Sequence, residues 1–307
     1  MRALIADPSA PFALRPVTVP EPVPGPDQVL VAVHHASLNH GDLNDARSGR
    51  VPPGGVLGSD VAGVVELPAA GGGPPRGTRV VALARGAFAE YSAVGLGALA
   101  EVPPSVDLAS AAALPVAGVA ALLALRAAGV AAGKRVLVTG ASGGVGRFAV
   151  QLAAQAGARV IASVGSAARG EGLAEAGADQ IVVGLDGIDQ PVDVVLDNVG
   201  GPTLVAAWKL LAPDGSLQSI GWSSDEPAVF PPYSTIGPPK SLSSFLIEGD
   251  AGGALATLLD LLAAGDLSVE IGWRGPLERA AEAAGALLAR RVRGKAVFDV
   301  RPAGAGS

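Results

Sequence analysis

The stretch RVLVTGASGGVGRFAVQLAAQAGARVIASVG (135–165) decides the fold. It opens on a short unbroken apolar run, RVLV, which is how a strand covered on both faces looks. A glycine-rich turn follows, with Gly140, Gly143, Gly144 and Gly146, then a helix, then a second apolar run that closes a βαβ unit. Glycines in this turn let the backbone approach a pyrophosphate closely and let the helix pack on its strand. The helix N-terminus adds unpaired N–H groups and a positive dipole for the phosphates. The unit is therefore predicted to bind a dinucleotide through Gly140, Ser142, Gly143, Gly144, Val145 and Gly146.

The end of the second strand distinguishes the dinucleotides. A site for NAD usually places an acid there, bonded to the adenine ribose. Here stand Ala162, Ser163, Val164, Gly165 and Ser166, with no acid before Glu171 and with Arg169 close by. Ser163, Gly165, Ser166 and Arg169 are the expected surroundings of that ribose, Ser166 donating a hydroxyl and Arg169 a charged fork to a 2′-phosphate. NADPH is thus favoured over NADH. The alternative is a solvated Arg169 at a helix start.

Downstream, IVVG, VDVVLDNVG and GSLQSIG repeat the pattern of apolar runs separated by helical segments, which predicts a parallel α/β domain. Upstream, short apolar runs broken by Pro, Gly and Asn predict a β-rich domain, with AAGGGPPRG (69–77) as a surface loop. After about Asp250 come two Ala/Leu-rich helices and a strand-like KAVFDV that returns to the first domain. The expected boundaries are 1–115 with a return over 251–307, and 116–250. The 307 residues, 49% of them hydrophobic, suffice for two cores.

A net charge of -6 without a Lys/Arg cluster argues against nucleic acid as a partner. The uncharged stretch Leu108–Leu125 is mostly Ala and contains Pro115 and Gly118, so it is expected to be a buried helix rather than a membrane span. The N-terminus lacks the apolar core of a signal peptide, and a cytoplasmic location is expected. Zero cysteines exclude thiolate nucleophiles and thiolate-bearing zinc sites.

In order and spacing, the glycine turn together with SLNHGD (37–42), GSDVAGVV (58–65), GAFAEY (86–91), AAALPVAGVAALLAL (111–125), VDVVLDNVGG (192–201) and RGKAVFDV (293–300) resembles the zinc-independent medium-chain dehydrogenases/reductases, in the quinone oxidoreductase and enoyl reductase branch. Nearly the whole chain takes part. The resemblance implies a GroES-like β-rich catalytic domain, a Rossmann doubly wound parallel sheet, and a substrate cleft at their junction. It also implies a homodimer joined through the cofactor domain, for which SLSSFLI (241–247) is the candidate edge strand. Zinc-dependent relatives place a Cys near Asn39 and a His-Glu pair near Ser59 and Asp60. Here the pair is Ser-Asp, and His34, His35 and His40 are not spaced to converge as a tetrahedral set, so no metal is expected.

By the same resemblance, Asn198 and Val199 lie near the nicotinamide ribose, Gly221 on the ribose side, and Phe245 with Leu246 at the carboxamide edge. Lys295 reaches cofactor or substrate, unless it is a solvated lysine at a strand start. Asn39 matches the Asn of the family's Asn-x-x-Asp turn and is expected to donate to a substrate carbonyl oxygen or to orient the nicotinamide ribose, unless it merely caps the turn, with Asp42 holding that turn. A tyrosine common in relatives just after this turn is replaced here by Asn44 or Val51, and a frequent Thr is Ala120. The proton donor is therefore either Tyr233, in the Pro-rich FPPYST (230–235), or water. The expected activity is reduction of an enone, enoyl or quinone substrate by hydride transfer. A non-catalytic NADPH-binding redox sensor and a carbonyl reductase are the alternatives.

Overall fold

Apolar runs with no polar face need cover on both sides, and in the middle of the chain six of them align in one sheet. Its order is Gln180–Val183, Arg159–Val164, Arg135–Val138, Val192–Asp197, Leu211–Ser219 and Ser241–Ser244. Every neighbouring pair is parallel. Numbered within the sheet by sequence, this is 3-2-1-4-5-6, the doubly wound order. The helices Gly144–Gln155 and Gly201–Leu210 supply cover, and Leu137, Ile161, Val195, Leu204, Trp208 and Leu217 form a core. Both edges are short strands of four residues that leave Val183 and Leu242 exposed.

The computed structural model describes residues 1–301, and these fall into two units, Ala120–Ile247 and Met1–Val119 with the described residues from Glu248 onward. The last six residues of the expected return, 302–307, lie outside the described residues.

The second unit is built on the long strand Gln28–Leu38, which pairs antiparallel with Asp60–Leu67, Lys295–Asp299 and Tyr91–Gly95. Arg79–Leu83 and Leu99–Glu101 extend the sheet on one side, and Ile271–Pro276 on the other. Phe298, from the returning strand, meets Phe88 edge to face at 5.2 Å between ring centroids. Both rings are fully buried, and each contributes roughly 2–3 kcal/mol by leaving water.

Three local outcomes differ from the sequence expectation. SLNHGD does not merely turn: Asn39 stands at the N-cap of a helix, His40–Ser48, whose third residue, Asp42, accepts the Asn39 backbone N–H at 2.8 Å. The stretch expected as one buried helix is two, Leu108–Ala112 capped by Asp107 and Pro115–Ala127, because Pro115 lacks the N–H that continuation needs. No helix among the described residues is long and apolar enough to cross a membrane. The strand Ile271–Pro276, IGWRGP, is not expected from the sequence, because its two glycines and terminal Pro weaken the strand signal.

Candidate functional site

In the doubly wound unit the strand order reverses between Arg135–Val138 and Val192–Asp197, and ligands of such sheets bind beyond the carboxyl ends at that point. There the chain places Thr139 and the glycine turn on one side and Asn198, Val199 and Gly221 on the other. Gly140 has φ +61°, which a residue with a Cβ rarely adopts. A Cβ on Gly146 would lie 2.4 Å from the Gly140 carbonyl oxygen and 2.6 Å from the Ala141 Cα, so only glycine lets the helix sit this close to the turn. The helix begins at Gly144 with Gly143 as an N-cap that has no side-chain bond, so the N–H groups of its first turn lie outside the helical ladder. The Gly143 N–H donates to the Gly140 carbonyl at 3.0 Å, so Gly143 shapes the turn.

A side-chain lattice fixes the facing strand end. The Thr139 hydroxyl donates to Asp197 Oδ1 at 2.6 Å and accepts the Asn198 N–H at 3.0 Å. Asn198 Nδ2 donates to the Thr139 carbonyl at 2.9 Å, and the Gly200 N–H donates to Asp197 Oδ2 at 2.8 Å. Burial pushes the Asp197 carboxyl above its ordinary range, against the hydrogen bonds from Thr139, Gly200 and Val199. Asn198 Oδ1 is buried with no donor. A buried unmet acceptor costs about 1–3 kcal/mol, which a ligand hydroxyl or amide would offset. Gly221 packs against Asn198 and donates its N–H to the Asp197 carbonyl at 3.1 Å.

At the end of the second strand, Arg169 Nε donates to the Ser142 hydroxyl at 2.8 Å, tying this arginine to the glycine turn. Ser163 is buried and gives its hydroxyl proton to the Gly184 carbonyl at 2.6 Å, while Gly165 and Ser166 are exposed. Phe245 and Leu246 follow the edge strand, Phe245 half-buried and Leu246 exposed. Tyr233 is 81% exposed with φ +66°.

The unit built on Gln28–Leu38 carries a different site. Register sets it: Asp60 lies opposite Ser37, and Ala296 opposite Leu38, which brings Lys295 beside Asn39. Lys295 Nζ donates to Asp60 Oδ2 at 3.0 Å and to Asn39 Oδ1 at 2.5 Å. Asn39 Nδ2 donates to Asp60 Oδ2 at 2.9 Å, the Ser37 hydroxyl donates to the same oxygen, and the Val116 N–H donates to Asp60 Oδ1 at 2.8 Å. Asp42 accepts the Ser59 hydroxyl at 2.7 Å. Burial, then the Asp60 charge, pushes the Asp42 carboxyl up to about 7. His40 is held low by desolvation first and the Lys295 charge second.

Lys295 is thus not a solvated lysine at a strand start: it is 4% exposed and sealed against Asp60, which is 0% exposed. Ser37 and Asp60 are functional candidates that reading the sequence missed, whereas Asp42 holds the start of its helix as expected. One signal was present: Asp60 and Lys295 are opposite charges heading otherwise apolar strands, DVAGVV and KAVF, and such charges must pair when buried. Among the described residues no three His, Asp or Glu side chains converge to hold a metal ion.

Residues 25–104 match the model of the alcohol dehydrogenase GroES-like domain, and residues 175–298 match that of the zinc-binding dehydrogenases. Bovine (Bos taurus) prostaglandin reductase-3 is 31% identical over 92% of this chain and 84% of its own length. A mycocerosic acid synthase-like polyketide synthase of Mycolicibacterium smegmatis is 30% identical over 99% of this chain, which spans 16% of that protein. The structure of the quinone oxidoreductase from Coxiella burnetii superposes with a TM-score of 0.86 at 28% identity, covering 98% of this chain and 99% of the other. A mycobacterial protein solved in complex with NADPH gives 0.89 at 29% identity, over 98% and 100%.

Proposed function

The chain belongs to the zinc-independent medium-chain dehydrogenases/reductases, in the quinone oxidoreductase branch, and from that premise we propose that it is an NADPH-dependent reductase of a conjugated C=C bond or a quinone. The observation that carries this reading is the Asn39 amide, half-buried and held between a buried ammonium and a buried carboxylate. An amide donates a hydrogen bond but releases no proton at ordinary pH. It suits an oxygen that gains negative charge, as the oxygen of an enolate or hydroquinone anion does. Reduction of a carbonyl to an alcohol demands a proton on that oxygen, which Asn39 does not supply.

The doubly wound unit fits the dinucleotide. The first-turn amides from Gly144 to Gly146 would hold its pyrophosphate, with Gly140 and Gly143 shaping the turn. Asn198 Oδ1, with Val199 and Gly221 beside it, would meet the ribose and nicotinamide end, and Phe245 with Leu246 the carboxamide edge. Ser166 and Arg169 would hold a 2′-phosphate at the end of the second strand, beside Ser163 and Gly165, with Arg169 supplying the charge from its anchor on Ser142. Bound NADPH supplies two electrons and one hydrogen as hydride. Asn39 would bind the substrate's carbonyl oxygen where negative charge collects, and Tyr233 or water would supply the proton that completes the reduction, to the α-carbon of an enone or to the oxygen of a quinone. The edge strand Ser241–Ser244 is the surface through which two copies would pair as a homodimer.

The test is oxidation of NADPH and NADH by the purified protein against quinones, enones and enoyl thioesters, with products identified by mass. Alkene or quinone reduction with a preference for NADPH is expected. Alcohol products, or tight NADPH binding without turnover across the panel, would overturn the reading.

A further inference from the structure

We propose that Lys295 and Asp60 are positioning residues that act on the reaction through Asn39; the inference rests on the reductase reading above. Four observations carry it. The first is accessibility: Asp60 is 0% and Lys295 4% exposed, whereas Asn39 is half-buried and meets solvent. Neither charge is open to a substrate, so their influence passes through the amide they both bond.

The second is polarity. Asn39 Oδ1 accepts from the Lys295 ammonium at 2.5 Å, and Asn39 Nδ2 donates to Asp60 Oδ2 at 2.9 Å. Turning the amide over would set its NH2 against the ammonium and its oxygen against the carboxylate. Two charge-assisted hydrogen bonds would become two repulsions, so only one orientation of this amide survives.

The third is that the carboxylate is itself fixed. Asp60 Oδ2 takes the Ser37 hydroxyl as well as Lys295 and Asn39, and Oδ1 takes the Val116 N–H at 2.8 Å. With both oxygens engaged, Asp60 has no rotation left to give. The fourth is the second amide hydrogen. Of the two on Nδ2, one goes to Asp60; the other has only a 3.5 Å approach to the Ser37 carbonyl, too long to compete with a substrate oxygen. The ammonium on Oδ1 polarises the amide and makes that remaining N–H a stronger donor.

A buried ion pair of this kind is poor value for stability, because well-packed apolar residues of the same volume do as well or better. Its effect here is to define one donor direction for the Asn39 amide.

Two measurements test the proposal. Removing one charge alone would strand the other, so the kinetic variant is the double Asp60→Asn, Lys295→Met, which keeps the shapes and leaves no buried charge unpaired. Expected are a fall in kcat of about 10- to 100-fold with the NADPH dissociation constant changed by less than about twofold, and a melting temperature equal to or above that of the parent. Adding Asn39→Ala to the double variant should cost no more than Asn39→Ala alone, since all three act as one unit. A double variant with the parental kcat, or a loss that multiplies with that of Asn39→Ala, overturns the proposal.

The second measurement needs no turnover. In 15N–1H spectra of the NADPH-bound protein, the Asn39 side-chain NH2, identified by its loss in Asn39→Ala, should show the hydrogen bonded to Asp60 shifted downfield and slow to exchange with solvent, and both effects should be lost in the double variant. A pair at free-amide shifts that exchanges quickly with solvent in the parent overturns the lock itself. Failure of the reductase reading shows instead as absence of turnover by the parent, with the amide hydrogen still shifted and protected.

Discussion

The two units arrange polar groups in opposite ways. The doubly wound unit offers its ligand backbone amides and a glycine turn, and the one buried carboxylate beside them, Asp197, is satisfied by Thr139 and Gly200. The unit around Gln28–Leu38 buries the Lys295 ammonium and the Asp60 and Asp42 carboxylates, and next to them Asn39 and Ser59 are only half-buried. A backbone site is local, so its demands fall on residues a few places apart. A side-chain site made by strand register draws on positions 39, 60 and 295. Steric changes should therefore break the first site, and changes of charge or pH the second.

The largest effect is expected from Gly146→Val. Its Cβ would overlap the Gly140 carbonyl and the Ala141 backbone, neither of which can move without opening the turn. NADPH affinity should fall by more than about 100-fold, as expected when the backbone geometry of a phosphate turn is lost. Fluorescence titration measures the affinity, with circular dichroism to establish that the rest of the fold persists. An affinity within tenfold of the parent, by the same titration, would mean that the turn does not hold the pyrophosphate.

Next comes Asp42, where the other site responds to pH. Its folded value of about 7 lies above the ordinary 3.8, so the folded chain holds this proton more tightly than the unfolded one. Below about pH 4 both states are protonated and the burial has no titration cost. As pH rises from about 4 to 7 the unfolded chain ionises first, and stability falls by up to about 4 kcal/mol, with no further loss above. Asp42→Asn keeps an acceptor for the Asn39 N–H and does not titrate. Its melting temperature relative to the parent should rise between pH 4.5 and 8; parallel curves would show that Asp42 titrates as an ordinary carboxyl.

How much of this was legible in the sequence follows the same division. The parallel sheet and its turn were, because RVLVTGASGGVG states strand, turn and helix start within twelve residues. Asn39 was singled out by resemblance, but what holds it was not. Asp60 stood in view as the replacement for a zinc ligand and was read for what it lacked. Lys295 was assigned to cofactor or solvent because the pairing of Ala296 with Leu38 is a property of register, and no short-range pattern specifies register between strands more than two hundred residues apart. The helix His40–Ser48 was missed for a related reason: polar and short, it is held by the Asp42 bond to Asn39 and by burial of Leu43 and Ala46, and no amphipathic stripe marks it in the sequence.

Arg169→Ala sharpens the comparison from the cofactor side. The guanidinium is anchored to the turn through Ser142, so its charge is fixed near the end of the second strand. Loss of a charge-assisted contact to a 2′-phosphate should weaken NADPH by about 10- to 50-fold and leave NADH within about twofold. Equal losses for both would make Arg169 a support for the turn alone.

The smallest effect is expected from Tyr233→Phe. With 81% of its surface exposed, Tyr233 presents its phenol to bulk solvent, where water competes with it for every proton it might deliver. Its φ of +66° is an unfavourable setting that the substitution leaves unchanged, so folding should be insensitive. A general acid that water replaces contributes little, and kcat should fall by no more than about threefold. Solvent deuterium would then slow the parent and the variant alike. A fall of 100-fold or more would instead make Tyr233 the proton donor, and the chemistry would depend on a side chain from the doubly wound unit.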